Sequence, residues 1–261
     1  MNGVNKTLYI PLYGKAYVSK RGIILKDKKA EEIWAAEGFP LKGKAKSKWL
    51  AYYMGIRSAV FDGWVKEKLE AFPGAAVIHI GCGMDSRVLR IGDGSHTWFD
   101  VDFPDVISER ARYYSETDGY KMISADARES DWLDSIPDRG HAVVIMEGVS
   151  MYLASDELIR LLSNICARFA GVSLLMDCYS TLAAKLSRYK NPINEVGVTE
   201  VYGIDDPSAI SVPTLDYVRE HAMTPQCYID ELRGMEKFVF SSLYSGGFSR
   251  KLYKLYEFRK I

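Results

Sequence analysis

Apolar residues gather in short, near-continuous runs at 75–80, 96–101, 120–124, 142–147 and 172–177. Such runs, bounded by turn formers, predict strands buried on both faces. Helix-favouring stretches lie between them at 105–114, briefly near 131, and at 155–169. Ser155 is a candidate N-cap there, with Asp156 and Glu157 favourable in the first turn. Upstream, 48–72 has helical composition interrupted by Gly55 and Gly63. Strands alternating with helices predict right-handed βαβ units and a parallel sheet. The C-terminal pattern differs: 237–242 and 252–258 are strand-like and flank Gly246-Gly247, which predicts a closing antiparallel hairpin. The fold class expected is α/β, Rossmann-like, with a mostly parallel sheet.

Composition narrows the function classes. A chain of 261 residues with 48% hydrophobic content can bury a full core as one domain. We divide it into an N-terminal helical extension (1–72), a cofactor-binding core (73–180), a substrate lid (181–225) and closing strands (226–261). Lys plus Arg and Asp plus Glu number 34 each, so no charge excess favours nucleic acid or an anionic membrane. Cys82, Cys166, Cys178 and Cys227 lack zinc-ligand spacing, so no metal site is expected. They read as reduced thiols of a cytoplasmic protein. Residues 1–6 open without the apolar core of a signal peptide, and no apolar run has membrane length.

The candidate chemistry centres on Ile80-Gly81-Cys82-Gly83-Met84-Asp85-Ser86-Arg87, followed by Trp98-Phe99-Asp100-Val101-Asp102. Gly81 and Gly83 let backbone amides approach a nucleotide-like ligand. A carboxylate about 20 residues later can hold a ribose hydroxyl. A dinucleotide site wants a third glycine where this chain has Ser86, and Asp85 would repel phosphate. Asp85 could instead accept from an ammonium. S-adenosylmethionine, with an ammonium, a sulfonium and no phosphate, fits better than NAD. Asp100 and Asp102 face the same side by alternation, so the pattern leaves the choice between them open.

From residue 7 to about 210, several segments together resemble the leucine carboxyl methyltransferase superfamily, in its polyketide O-methyltransferase branch. They are Thr7-Leu8-Tyr9-Ile10-Pro11-Leu12-Tyr13-Gly14-Lys15-Ala16, Gly55-Ile56-Arg57-Ser58-Ala59-Val60-Phe61-Asp62, the glycine turn above, Trp98 to Ile107, Met146-Glu147-Gly148-Val149-Ser150-Met151-Tyr152-Leu153, and Tyr202-Gly203-Ile204-Asp205-Asp206-Pro207. Ser86 stands where the family more often has threonine. The resemblance implies a class I methyltransferase fold and S-adenosylmethionine as cofactor. It also implies roles: Lys15 and Arg57 for the methionine carboxylate, Gly81 beside the methionine moiety and Glu147 for its amino group. Asp102 would hold the ribose, and Asp126 with the Ala127 amide the adenine. Arg128 and Tyr152 match positions that reach an acceptor carboxylate.

Methyl transfer needs alignment more than bond-making help from the protein. A carboxylate acceptor is ionised at neutral pH and needs no base, whereas a phenol needs one. Of the four histidines, His79 reads as structural, His141 as exposed, and His221 as a base only by residue type. The N-terminal segment and 189–214, with turn-rich 191–197 and 205–207, are expected to cover the acceptor, a small molecule. An NAD-linked oxidoreductase and a non-catalytic cofactor-binding module are the rival classes. Ser86 and Glu147 count against the first.

Overall fold

The structure, a computed structural model, describes residues 8–37, 43–190, 201–245 and 251–261. Seven strands form one sheet: β1 Ala76–Ile80, β2 Thr97–Asp102, β3 Tyr120–Ser124, β4 His141–Met146, β5 Gly171–Tyr179, β6 Asp216–Glu220 and β7 Tyr253–Lys260. Their order is β3-β2-β1-β4-β5-β7-β6. Neighbours pair in parallel from β3 to β5, and β7 runs antiparallel to both β5 and β6.

Alternation along the buried strands divides the core into two layers. Ala76, Ile78 and Ile80 of β1 face Val144, Leu174 and the apolar side of helix Ser155–Arg168, through Leu158, Leu161 and Ile165. Val77, Val143, Ile145 and Leu175 point the other way, onto the N-terminal helices α1 (Tyr9–Ser19), α2 (Lys28–Glu37) and α3 (Lys48–Ala71). Ser47 caps α3 by accepting from the Leu50 N–H at 3.2 Å, and the helix runs unbroken for 24 residues. Gly55 does not interrupt it. A Cβ there would stand 2.8 Å from Val18, so the glycine lets α1 lie against α3. Short helices α4 (Arg87–Ile91) and α5 (Pro104–Arg110) follow β1 and β2; α6 (Ser155–Arg168) and α7 (Thr181–Lys190) flank β5.

Three expectations need correction. The first strand of the closing hairpin is 216–220, inside the segment assigned to the lid, and 237–242 is helical. Phe240 and Tyr244, four apart on one helical face, stack at 4.5 Å, and Phe240 also meets Tyr52 at 5.9 Å; that helical register buries Phe240 and leaves Phe238 exposed. Ser155 is the first helical residue rather than the cap. Ala154 occupies the cap, and its N–H donates to Glu157 at 2.8 Å. His141 is half-buried, stacked on Phe72 at 3.6 Å and 3.0 Å from the Ser173 hydroxyl. Gly246-Gly247 and the 191–197 loop lie outside the described residues.

Candidate active site

In an open parallel sheet, ligands bind beyond the carboxyl ends of the strands, where strand order reverses. Here β1, β2, β3, β4 and β5 deliver Gly81, Asp102, Asp126, Glu147 and Tyr179 to that edge, and antiparallel β7 brings its first residue, Tyr253. Helices α1 and α3 close the space from above with Lys15, Met54 and Arg57. The cavity measures about 400 Å³. Lys15, Arg57, Gly81, Gly83, Asp102, Asp126, Ala127, Arg128, Glu147 and Tyr152 all line it.

Gly81 makes the turn possible. Its φ is +66°, and a Cβ would meet Val149 at 2.2 Å. The structure also separates the two aspartates left open above. Asp100 is buried away from the cavity, held by Arg110 and by the Tyr120 hydroxyl at 2.8 Å. Asp102 stands on the cavity wall. Its Oδ2 accepts from the Gly83 N–H and its Oδ1 from the Phe103 N–H, each at 2.8 Å. Burial raises the Asp102 carboxyl's pKa, and the two amides partly offset it.

One end of the cavity is a buried ionic frame. Lys15 Nζ lies 2.9 Å from Asp85. Arg57 reaches Glu147 and Asp177 at 3.0 Å each and donates to the Tyr253 hydroxyl at 2.9 Å. Arg87 joins Glu147 at 2.5 Å to Asp62 at 2.8 Å. Arg90 meets Asp62, Asp27 and Asp85 at 2.6, 2.7 and 3.2 Å. Burial alone would push the Glu147 carboxyl up, but Arg57 and Arg87 outweigh it and hold it below the usual range. The same competition, won by Lys15, Arg87 and Arg90, keeps Asp85 well below the carboxylate range. Asp85 is thus committed to protein cations rather than open to a ligand ammonium. Ser86 likewise turns away and donates to Asp27 at 2.5 Å.

The other end is aromatic and apolar, with Ile10, Leu50, Met54, Met151, Tyr152 and Tyr179 on the wall. Arg128 sits at the rim, 44% exposed, and grips Asp126 through Nε at 2.9 Å and Nη2 at 2.5 Å. His79 is at the floor beside Arg87; burial first, then Arg87, drives its imidazole pKa well below the usual value. His221 lies off the cavity on the β6–β7 edge, 2.7 Å from Glu257.

Several functional groups escaped sequence reading. Asp177 is an acidic residue near the carboxyl end of an apolar strand, as Glu147 is directly after one, and a similar signal would have found it. Arg87 was in view within the glycine motif, but nothing local tells that it turns inward to Glu147. Tyr253 carries no sequence signal among 17 tyrosines.

A β3-β2-β1-β4-β5-β7-β6 sheet with antiparallel β7, a glycine turn after β1 and acidic strand ends defines the class I S-adenosylmethionine-dependent methyltransferase fold. Among solved structures, magnesium protoporphyrin IX methyltransferase from Synechocystis PCC 6803 with bound S-adenosylhomocysteine superposes with a TM-score of 0.53 at 12% identity, covering 90% of this chain and 100% of that one. The family model for leucine carboxyl methyltransferase matches residues 8–166. The chain belongs to the leucine carboxyl methyltransferase family. It is 28% identical over 249 residues to the tetracenomycin polyketide synthesis O-methyltransferase of Streptomyces glaucescens, covering 94% of this chain and 92% of that protein. It is also 28% identical over 243 residues to an S-adenosyl-L-methionine-dependent methyltransferase of Gibberella zeae, covering 83% and 81%. The chain is therefore a methyltransferase enzyme. No helix among the described residues is long and apolar enough to cross a membrane.

Proposed function

We propose that this chain transfers the methyl group of S-adenosylmethionine to a carboxylate oxygen of a small, largely apolar acceptor. The observation that carries the cofactor half is the charge balance of the buried frame. Five carboxylates (Asp27, Asp62, Asp85, Glu147, Asp177) face four cations (Lys15, Arg57, Arg87, Arg90), one formal negative charge in excess. S-adenosylmethionine carries an ammonium, a sulfonium and one carboxylate, so it brings one net positive charge. Glu147, held ionised, receives the ammonium; Lys15 and Arg57 receive the carboxylate; Gly81 lets the backbone pass beside the methionine chain. Asp102 accepts from the ribose hydroxyls, beside the Gly83 amide. Asp126 and the Ala127 amide take the adenine edge. The cofactor, when bound, supplies an electrophilic methyl group, and the protein's share is alignment and exclusion of water.

The acceptor half rests on the aromatic end of the cavity and on the bases within reach. His79 is neutral and wedged against a guanidinium, His221 is elsewhere, and burial raises the Tyr253 phenol beyond use as a base. A phenol would find no proton acceptor among these groups, whereas a carboxylate needs none. Arg128 and Tyr152 flank the place where the acceptor carboxylate would sit. The Streptomyces glaucescens relative is named for polyketide synthesis, which supports a small-molecule acceptor. The chain works as one methyltransferase domain. Its four free thiols, three of them buried, suit the reducing cytoplasm. Titration calorimetry tests the cofactor assignment: micromolar binding of S-adenosylmethionine and S-adenosylhomocysteine is expected, about −8 kcal/mol. Binding of NAD with neither of these would end it.

A further inference from the structure

Asp177 and Tyr253 contact no part of the ligand in the scheme above, yet they join its two methionine-facing arms. Asp177 is fully buried near the end of β5, two residues before the strand ends at Tyr179. Its Oδ1 accepts the Gly148 N–H at 2.6 Å, the amide directly after Glu147. Its Oδ2 accepts the Tyr253 O–H at 2.6 Å and lies 3.0 Å from Arg57 Nη1. The same Arg57 nitrogen donates to the Tyr253 oxygen at 2.9 Å, closing a triangle of three groups. The Ser150 hydroxyl donates to the Asp177 carbonyl from the turn that follows. One carboxylate thus ties the Arg57 side chain to the backbone turn that carries Glu147. The Tyr253 ring is set edge-on against Tyr179 at 5.1 Å and Tyr53 at 5.9 Å, which fixes where its hydroxyl points.

From this geometry we infer that Asp177 and Tyr253 form a positioning unit that presets the distance between Arg57 and Glu147 for the amino-acid end of the cofactor. The inference rests on the cofactor reading above. Burial pushes the Asp177 carboxyl up, and Arg57, the Tyr253 hydroxyl and the Gly148 amide offset only part of that rise. Burial, and then Asp177 itself, raises the Tyr253 phenol, so it stays a hydrogen-bond donor to that carboxylate. Arg57 is long and rotamer-rich, and holding it in place before binding removes an ordering cost that the ligand would otherwise meet. Tyr253 comes from β7, beyond the segment 8–166 shared with the family model, so this support belongs to the chain's C-terminal part.

The test compares two probes in titration calorimetry with the full chain. S-adenosylhomocysteine has the amino-acid tail; 5′-methylthioadenosine keeps the adenosine and thioether and lacks the tail. Tyr253→Phe keeps the ring and removes the hydroxyl. We expect it to weaken S-adenosylhomocysteine about tenfold, the loss tied to one charge-assisted hydrogen bond, and to leave 5′-methylthioadenosine within about twofold. Asp177→Asn should give the same pattern more strongly. The double variant should be no weaker than Asp177→Asn alone, since both act through one contact. Thermal unfolding of each variant reports folding separately. Equal loss for both probes, or no loss for either, would overturn the inference, because a merely structural role does not distinguish the tail. If the unaltered chain binds neither probe, the cofactor reading itself falls and the inference falls with it.

Discussion

Replacing Glu147 with Gln probes the ionic frame at its centre. The substitution keeps shape and removes one charge between two buried guanidinium groups, Arg57 at 3.0 Å and Arg87 at 2.5 Å. Each arginine retains another carboxylate, Asp177 for Arg57 and Asp62 for Arg87. The stability loss therefore belongs at the low end for a broken buried pair, about 3 kcal/mol. The ligand ammonium loses a charge-assisted partner, worth about 1.5–3 kcal/mol, so S-adenosylhomocysteine should bind about 10- to 150-fold more weakly. The pH dependence has a definite sign. Arg57 and Arg87 overcome the burial penalty and keep the folded Glu147 pKa below its ordinary value. Its contribution is then complete above the unfolded glutamate pKa of about 4.3 and is lost as pH falls toward the folded one. In urea denaturation, the stability gap between wild type and Glu147→Gln should be level from about pH 5.5 to 8. Below about pH 4 it should narrow, by at most about 1.4 kcal/mol per pH unit. A gap equally wide at pH 5.5 and 3.5 would show that folding leaves the Glu147 pKa unshifted, and a gap that widens as pH falls would show that its carboxyl is protonated in the folded chain. Unchanged affinity for S-adenosylhomocysteine would remove it from the ammonium.

Arg128→Ala separates acceptor from cofactor: the Arg128–Asp126 pair is partly exposed and worth under about 1 kcal/mol, so S-adenosylhomocysteine affinity should shift less than about fivefold while the acceptor KM rises. Equal losses in both would reassign Arg128 to the cofactor. With a carboxylic acceptor at saturation, kcat should stay level from about pH 6 to 8, and His221→Gln should leave it unchanged, since that imidazole is held by Glu257 outside the cavity. A steep rise abolished by one histidine substitution would instead mark a phenolic acceptor.

Legibility in the sequence followed burial. Strands β1, β2, β4 and β5 are enclosed on both faces, and their apolar runs marked them within a few residues; β3, at the sheet edge and only half-buried, was marked by Tyr120, Met122 and Ile123. Strand β6 was missed because all five of its residues are exposed at the sheet edge, with a bulge between Tyr217 and Arg219. At 237–242, alternating Phe and Val imitated a strand, and the stacking of Phe240 on Tyr244 together with its edge-on tertiary contact with Tyr52 decided for helix. In the site, strand-end acids and the glycine turn were visible because backbone geometry demands them at fixed places. The partners that hold them were not. Arg87, Arg90, Asp27 and Asp62 come from three separate segments, and pairings across such distances leave no local pattern. Arg128 shows the same limit, since its grip on Asp126 depends on side-chain direction rather than spacing.

The most direct measurement follows an isotopically labelled methyl group from S-adenosylmethionine into a panel of aromatic carboxylic acids and matched phenols, then treats each product with mild base. Methyl esters release labelled methanol, and aryl ethers keep the label. Transfer to the acids with base-labile product is the result expected of a carboxylate methyltransferase. Base-stable label on the phenols alone, or no transfer to any acid while the cofactor binds tightly, would contradict it.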